Sequence, residues 1–438
     1  PRVQSAPGEL STSRGFLPPG SMKSSVFNLT SATLGAGALT IPFAVAGTGI
    51  LAGLGGMVII GLMSILSTLY IVQVMTYTDL KTMEEMALHA GGHWFAVFTE
   101  VNIILFCFGT AVGYLISVSD MFETVFREIL GHNPGVVFEH TLLNRDLILI
   151  VVTVVLLLPL SLSEKLNEMR FTCFLGVSAI AFLSLVVLWE LMGRGKSTSI
   201  TSTEQALAPT SFWAFVNALS LITFAFSCQP NVPAIYTELE RRNSRRMMKV
   251  SLRSVLLCIA VYAAMGIGGF LAFGTGTESN ILLNFKDTVG RSWLVALAFI
   301  GMMAAVTFAY PLNIFPCRYS VEMMLFYSRP HLQTKFYSSL VAVLTVVLSV
   351  LLAIFVPDIN FIFQLVGSTA GSFVSFIIPG ILYVRLLPGA TFHRRKLKAV
   401  ALIVFGSAIA VLGTVVTFLP LFWDPEGKAK KEKAAAGS

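Results

Sequence analysis

The sequence predicts an all-α polytopic membrane protein with about eleven transmembrane helices. Hydrophobic residues make up 55% of the 438-residue chain and charged residues only 12%, whereas soluble domains carry roughly 25% charged residues. Apolar runs of about 20 residues recur along the chain, and a helix of that length crosses a hydrocarbon core of about 30 Å. These runs lack the alternating pattern of barrel strands, so helices are expected to satisfy their backbone polar groups in lipid.

The apolar runs divide into two sets of five, followed by one further span. They cover residues 24–48, 50–76, 95–126, 146–162, 169–193, 212–236, 249–274, 292–325, 336–356, 359–387 and 396–423. We expect a disordered cytoplasmic tail at residues 1–22, the first five helices within 23–193, an extracytoplasmic loop at 194–211, and the next five helices within 212–387. The eleventh helix, 396–423, is expected to precede a disordered tail at 424–438 that is partly of artificial origin.

Basic side chains predict the orientation of these helices. With the loops assigned alternately to the two sides of the membrane, about two thirds of the 30 lysines and arginines fall on one side, which is expected to be the cytoplasm. The N-terminus is then cytoplasmic and the C-terminus lies on the opposite side. The net charge of +7 is therefore a signal of topology in a lipid bilayer, and it indicates no nucleic-acid partner.

Two spans are interrupted near their middle in the same way. The first, SVFNLTSATLGAGALTIPFA, contains Gly35 and Gly37; the sixth, NALSLITFAFSCQPNVPAIYTEL, contains Ser227 followed by Pro230 and Pro233. Glycine and proline interruptions leave backbone N–H and C=O groups without helical partners, and at mid-membrane such groups are tolerated against a wet cavity or a ligand. Close helix packing and simple proline kinks are the ordinary alternative. Because the two breaks open corresponding sets of five helices, they favour a transporter's binding site.

The chemistry of a broken helix suits an amino acid. Half-helix N-termini favour a carboxylate, and freed carbonyl groups favour a cation or an ammonium group. The charged side chains are expected near span ends rather than at mid-membrane, which favours a neutral amino acid. Thr307 in the eighth span is the best side-chain candidate for cation coordination, with a bond to its own helix backbone as the alternative.

These segments resemble the amino acid/auxin permease family, and most of all its branch of neutral amino acid transporters. SVFNLTSATLGAGALTIPFA is similar to the first helix of that branch and FAFSCQPNVPAIYTELE to its sixth. GIGGFLAFGTGTESNILLNF resembles the end of the seventh helix and the following loop, IFPCRYSVE the end of the eighth, and GSTAGSFVSFIIPGILYVRL the tenth. The resemblance covers roughly residues 23 to 423.

The resemblance implies a LeuT-type fold, in which two inverted five-helix repeats and one extra helix support cation-coupled alternating access. It places the substrate between the first, third, sixth and eighth helices. Carried over by position, the implied substrate-binding residues are Leu34, Gly35, Ala36 and Gly37, with Phe226, Ser227 and Cys228 opposite, and the implied cation-binding residues are Ser31, Leu34 and Thr307. It also implies a plasma membrane or an acidic organelle membrane as the location, and a monomer as the favoured state.

The sequence departs from the sodium-coupled relatives at Ser31, one of the implied cation-binding residues, and at Ala309. Those relatives usually carry Asn at the position of Ser31 and a second hydroxyl at that of Ala309. A bound sodium ion and a transported proton therefore both stay open, and no other cofactor is expected.

Two further functions stay open, and enzymatic activity is not expected. One is a transporter-like sensor that binds an amino acid and signals through its cytoplasmic tail or basic loop; the other is a permease of the same fold for cationic amino acids. All six histidines map to loops or span ends, and all five cysteines lie in apolar segments. This distribution provides neither a nucleophile–base pair nor a convincing metal site.

Overall fold

The computed structural model describes residues 20–130, 145–162, 169–195, 211–326, 334–356, 358–389 and 394–422. Helices of the first half are α1 (Met22–Thr33), α2 (Gly37–Thr48), α3 (Ile50–Thr78), α4 (Met83–Gly91), α5 (His93–Leu130), α6 (Arg145–Leu162) and α7 (Met169–Arg194). Helices of the second half are α8 (Phe212–Ala225), α9 (Val232–Glu238), α10 (Ser244–Phe273), α11 (Trp293–Phe326), α12 (Lys335–Phe355), α13 (Ile359–Leu386) and α14 (Arg394–Phe422).

The described helices form up to eleven segments that can cross a membrane. Ten are long and apolar enough by themselves, with α8 and α9 counted together, and α1 with α2 make an eleventh that is bent by 59° at its break. The prediction of about eleven spans is confirmed. The predicted tails at 1–22 and 424–438 and the predicted loop at 194–211 lie almost wholly outside the described residues, so those boundaries stay predictions.

Membrane-facing helices show a lipid side and a packed side. On α12, Leu344, Leu348 and Leu351 are exposed along one face, whereas Thr345 and Ser349 are buried on the other. This spacing of three and four residues follows the helical period. Each buried hydroxyl bonds within its own helix, Thr345 to the Val341 carbonyl at 2.8 Å and Ser349 to the Val346 carbonyl at 2.7 Å.

Helix α4 is short and joins the second and third spans. Its first turn has a capping box: the Thr82 hydroxyl accepts the Glu85 backbone N–H at 3.2 Å, and the Glu85 carboxylate accepts the Thr82 N–H at 3.3 Å. Met83 and Met86 are buried beneath it. Two reciprocal bonds of this kind satisfy donors at the N-terminus of the helix and fix the residues between them. Glu84 is one of the residues fixed in this way.

Helix α13 departs from regular α-helical geometry where it passes α8. It contains two π-helical turns, Gly367–Gly371 and Phe373–Ile377. Gly367 lies so close to α8 that a Cβ atom there would be 2.1 Å from the Ser220 carbonyl oxygen. The absence of a side chain at this glycine therefore allows the two backbones to touch, beside the end of α8.

Candidate substrate-binding site

The first span breaks between α1 and α2. Leu34 leaves the helix with φ −77° and ψ 79°, and the Gly35 N–H then donates to the Thr33 carbonyl at 3.0 Å instead of continuing the α-helical ladder. Gly35 is required for close packing, because a Cβ atom at this position would lie 2.2 Å from the Tyr114 hydroxyl oxygen. The backbone at the break therefore packs directly against a side chain of α5.

The sixth span breaks between α8 and α9. After α8 ends, Cys228 adopts φ −120° and ψ 0°, and a short 3₁₀ turn, Gln229–Asn231, leads into α9. The Gln229 side chain provides hydrogen bonds within this segment and from it to α3. Its Oε1 accepts the Cys228 N–H at 2.9 Å, and its Nε2 donates to Ser64 Oγ at 3.0 Å. Ser64 in turn donates to the Phe226 carbonyl at 3.2 Å. Buried side chains of α3 and the turn thereby replace helical hydrogen bonds.

The two breaks lie side by side. A Cβ atom at Gly37 would lie 3.2 Å from Ala225 Cα and 3.3 Å from the Phe224 ring, so the start of α2 packs against the end of α8. The hydroxyl oxygen of Tyr262 on α10 lies 2.8 Å from the Thr33 carbonyl and 2.9 Å from the Ala225 carbonyl. One side chain therefore contacts the last residue of α1 and the last residue of α8.

A cavity of about 710 Å³ opens at the meeting point of the breaks. This volume falls within the range of roughly 300 to 1,000 Å³ that is usual for small-molecule sites. Its walls come from both broken spans and from α5, α7 and α11. The residues nearest the breaks on these walls are Leu34, Gly35, Ala36, Gly37, Phe106, Thr110, Tyr114, Phe224, Ala225, Ser227, Ala309 and Asn313.

Among the described residues, the lining of the cavity extends from the breaks towards one end of the bundle. Its far wall includes Lys81 to Glu84, ahead of and within α4, and Thr237 with Glu238 at the end of α9. On α5 the lining runs from Ile103 to Tyr114 and stops there. The side of the bundle that carries α4 is therefore the open side.

Glu84 places a carboxyl group on the wall of this cavity. Burial raises the pKa of Glu84 above its usual value, and hydrogen bonds from its own backbone and from Thr82 counter only part of that effect. The carboxyl group lies outside the membrane-spanning helices, and burial disfavours its charged form because water around it is displaced.

The structure brings most of the expected substrate residues to the cavity. Leu34, Gly35, Ala36, Gly37 and Ser227 line it. Two of the expected residues lie elsewhere. The Phe226 ring stands edge-on to the Tyr262 ring with centroids 5.2 Å apart, and Cys228 Sγ lies 3.9 Å from Ser64 Oγ on α3. In the non-helical turn, neighbouring residues face opposite ways, so Ser227 reaches the cavity and its two neighbours do not.

The expected cation residues are divided between two places. Ser31 and Leu34 line the cavity, and the Ser31 side chain interacts with Cys173 on α7. Thr307 is buried on α11 but lies off the cavity-lining face, which contains Val306 and Ala309. The cation site at Ser31, Leu34 and Thr307 stays a prediction.

Tyr114 and Asn313 are lining residues that the sequence analysis did not predict. Tyr114 interacts through its hydroxyl with the backbone of Ala36 and with the side chain of Asn313, while Asn313 Nδ2 donates to the Ala309 carbonyl at 3.1 Å. Together they connect α5, α11 and the first break. The available signal was the position of Asn313, an uncharged polar residue in the middle of an apolar span, near two prolines.

Residues 18–419 match the model of a protein family described as transmembrane amino acid transporter protein. The chain belongs to this family. Among similar proteins, the sodium-coupled neutral amino acid symporter 2 of Danio rerio is 26% identical over 383 residues, which cover 83% of this chain and 75% of that protein. Vacuolar amino acid transporter 5 of Schizosaccharomyces pombe is 26% identical over 407 residues, covering 91% of this chain and 93% of that protein. The predicted family is thus confirmed.

Solved structures of similar fold include a manganese transporter of Eremococcus coleocola. Two crystal structures of its variants superpose on this chain with TM-scores of 0.61 at 12% and 13% identity. Each superposition covers 92% of this chain and 88% of the manganese transporter chain. At this identity the likeness shows the fold alone, the LeuT type with two inverted five-helix repeats and one extra helix. The family is a transport family, so the chain is a multi-pass integral membrane amino acid transporter, and the prediction that it is no enzyme is confirmed.

Proposed function

We propose that the protein is a secondary active transporter that moves amino acids, with neutral ones favoured, by cation-coupled alternating access. The observation that supports this proposal is the meeting of two broken helices at a cavity of about 710 Å³. Broken helices in corresponding repeats form substrate sites in transporters of this architecture. The substrate would lie between Leu34 to Gly37 on one side and Phe224 to Ser227 on the other.

The broken helices offer both partners that an amino acid needs. Helix α2 begins at Gly37 beside the cavity, and a helix N-terminus favours the substrate carboxylate. The ends of α1 and α8 also lie at the cavity, because Thr33 and Ala225 both line it, and carbonyl groups at helix ends lack intrahelical partners. Carbonyl oxygens accept hydrogen bonds from an ammonium group.

The walls around the substrate side chain are largely apolar near the breaks. Phe106 and Phe224 pack with ring centroids 6.1 Å apart, and both line the cavity together with Val306 and Ala309. Apolar and aromatic walls favour an uncharged side chain, because a charge there would be desolvated without a partner. Neutral amino acids are therefore the preferred substrates.

Cationic amino acids are a second candidate, supported by the open end of the cavity. Glu84 and Glu238 both line it there. A long cationic side chain that extends from the breaks towards α4 would approach these carboxylates. Competition by lysine and arginine against uptake of a neutral amino acid separates the two candidates.

The open end of the cavity is proposed to face the cytoplasm. It lies on the side of α4 and of the α9–α10 connection, whose neighbourhood carries Arg241, Arg242, Arg245 and Arg246. Basic residues concentrate on the cytoplasmic side of membrane proteins. The structure would then represent an inward-facing conformation of the transport cycle.

The test is uptake by purified protein in liposomes, with a panel of labelled amino acids and imposed proton or sodium gradients. We expect accumulation of neutral amino acids that depends on one of the gradients and disappears when the gradient is collapsed. Binding without any flux under either gradient would contradict the proposal and favour a sensor. Liposomes prepared without protein are the control and should accumulate no amino acid under either gradient.

A further inference from the structure

Tyr262 of α10 lies where the two breaks come closest. Its side chain is fully buried, and its hydroxyl oxygen is 2.8 Å from the Thr33 carbonyl and 2.9 Å from the Ala225 carbonyl. Thr33 is the last residue of α1 and Ala225 the last of α8. Both carbonyls therefore belong to the helix ends that the breaks leave without the usual intrahelical partners.

The hydroxyl group of Tyr262 has one proton for these two acceptors. The Thr33 carbonyl also accepts the Gly35 N–H at 3.0 Å. The Tyr262 hydroxyl can donate one well-aligned hydrogen bond to one of the two carbonyls. Alternatively, it donates to both through a weaker three-centre hydrogen bond. Each carbonyl oxygen has two lone pairs, so acceptor capacity is left at both helix ends, and an additional donor can use it.

Tyr262 stands behind the wall of the cavity rather than in it. Thr33 and Ala225 line the cavity, whereas Tyr262 is absent from the lining. Helix α10 also contacts both halves of the first span: Ser254 Oγ donates to the Val26 carbonyl of α1 at 3.0 Å, and a Cβ atom at Gly266 would lie 2.9 Å from Val45 of α2. Helix α10 is therefore a support against which the broken span is fixed.

We propose that Tyr262 is a positioning residue for substrate binding, which holds the ends of α1 and α8 together through its hydroxyl group. The substrate ammonium group then supplies the donors that the single phenolic proton cannot supply. Substrate affinity depends on this contact because both carbonyls must point to one place. This inference rests on the proposed function, since it assumes that the amino acid binds at the breaks.

The first test compares Tyr262→Phe with Tyr310→Phe. Tyr310 is a matched control: it is also fully buried, its hydroxyl lies 2.8 Å from Ser349 Oγ between α11 and α12, and it is absent from the cavity lining. In uptake assays we expect Tyr262→Phe to raise the KM for the amino acid by about tenfold with a smaller effect on maximal rate, and Tyr310→Phe to change KM less than about twofold. Equal KM changes in the two variants would overturn the proposal.

The second test replaces the hydroxyl with an amine. The substitution Tyr262→4-aminophenylalanine keeps the ring and provides two N–H donors at the same position, one for each carbonyl. We expect this variant to recover most of the affinity that Tyr262→Phe loses. A KM as high as that of Tyr262→Phe would contradict the role of the hydroxyl group as a hydrogen-bond donor to these carbonyls.

A third measurement needs no substrate, so it separates this inference from the proposed function. Hydrogen–deuterium exchange of the purified protein is followed in peptides that cover residues 29–40 and 222–231. We expect Tyr262→Phe to accelerate exchange in both segments together, and Tyr310→Phe to leave both unchanged. Acceleration in one segment alone, or in neither, would overturn the inference even if uptake is normal, whereas absent uptake by the unaltered protein would overturn the proposed function alone.

Discussion

The Tyr114 hydroxyl occupies the space where any side chain at position 35 would begin. Because a Cβ atom at that position would lie 2.2 Å from the hydroxyl oxygen, Gly35→Ala must push Tyr114 or the broken segment out of place. Overpacking of this kind costs about 1 to 3 kcal/mol, equivalent to roughly 5- to 150-fold in affinity if it falls on the binding-competent state. We expect this loss of substrate affinity in a titration of the purified variant, whereas Gly55→Ala retains normal affinity, because a Cβ atom at Gly55 meets nothing within 4 Å.

A second substitution shows whether the clash is the cause. Tyr114→Phe removes the hydroxyl oxygen and leaves the ring carbon Cζ 3.3 Å from the position of the new Cβ. In the Tyr114→Phe background, adding Gly35→Ala should therefore cost much less affinity than in the unaltered protein. A double-mutant cycle measures this difference directly. If the two effects simply add, Tyr114 does not constrain position 35.

The environment of Glu84 leads to a prediction of how the thermal stability of the folded protein changes with pH. Burial raises the pKa of Glu84 above its usual value, so the charged form is penalised in the folded protein while the protonated form is not. Glu84→Gln should raise the melting temperature at neutral pH, and this advantage should vanish as the pH falls through the raised pKa towards the ordinary glutamate value of about 4.3. Thermal unfolding across that range is the measurement. A melting-temperature difference between Glu84→Gln and the unaltered protein that does not change with pH would contradict this prediction.

At the scale of residues, the glycines at 35 and 37 predicted where the first span is interrupted, because glycine spacing is a local property of the chain. The family resemblance implied Leu34 to Gly37 as substrate-binding residues; all four line the cavity, and their role in binding stays a prediction. Phe226 and Cys228 turn towards α10 and α3 because the rotation of a non-helical turn depends on packing far away in sequence. The partner Tyr114 was missed for the same reason.

Among the helices, α13 packs against α8 through a glycine. A Cβ atom at Gly367 would lie 2.1 Å from the Ser220 carbonyl oxygen, a backbone atom that cannot rotate away. We expect Gly367→Ala to destabilise the protein by about 3 kcal/mol or more, seen as a lower melting temperature or failure to fold. Gly301→Ala is the control inside α11, where the nearest atom is Ala179 Cβ at 3.5 Å, and it should leave the melting temperature nearly unchanged. Equal stability of the two variants would contradict this contact.

At the scale of helices, the positions of the spans could be predicted from the sequence, but the local geometry of α13 could not. Uninterrupted apolar runs determine where a helix crosses a membrane, and all eleven predicted spans have counterparts in the structure. The π-helical turn at Gly367–Gly371 leaves no comparable pattern, since glycine, serine and alanine also occur in regular transmembrane helices. Its geometry depends on contact with α8 beside the second break.

The whole molecule presents its cavity to one side. Thr237 is an exposed residue of the lining at the open end, and Glu278 is exposed beyond the opposite end of α10. In a variant without the natural cysteines, Thr237→Cys and Glu278→Cys should react with a membrane-impermeant maleimide from opposite sides of the membrane. Saturating amino acid should slow the reaction at position 237 and leave position 278 unaffected. Reaction of both residues from the same side would contradict the arrangement.

The proposed function places the bound amino acid where the two broken spans meet. A cryo-EM map of the protein with a saturating amino acid substrate tests it most directly. We expect density for the substrate between the backbone of Gly35 to Gly37 and that of Phe224 to Ser227, with its ammonium group near the Thr33 and Ala225 carbonyls. Density confined to the open end, beside Glu84 and Glu238, or located outside this cavity, would contradict it.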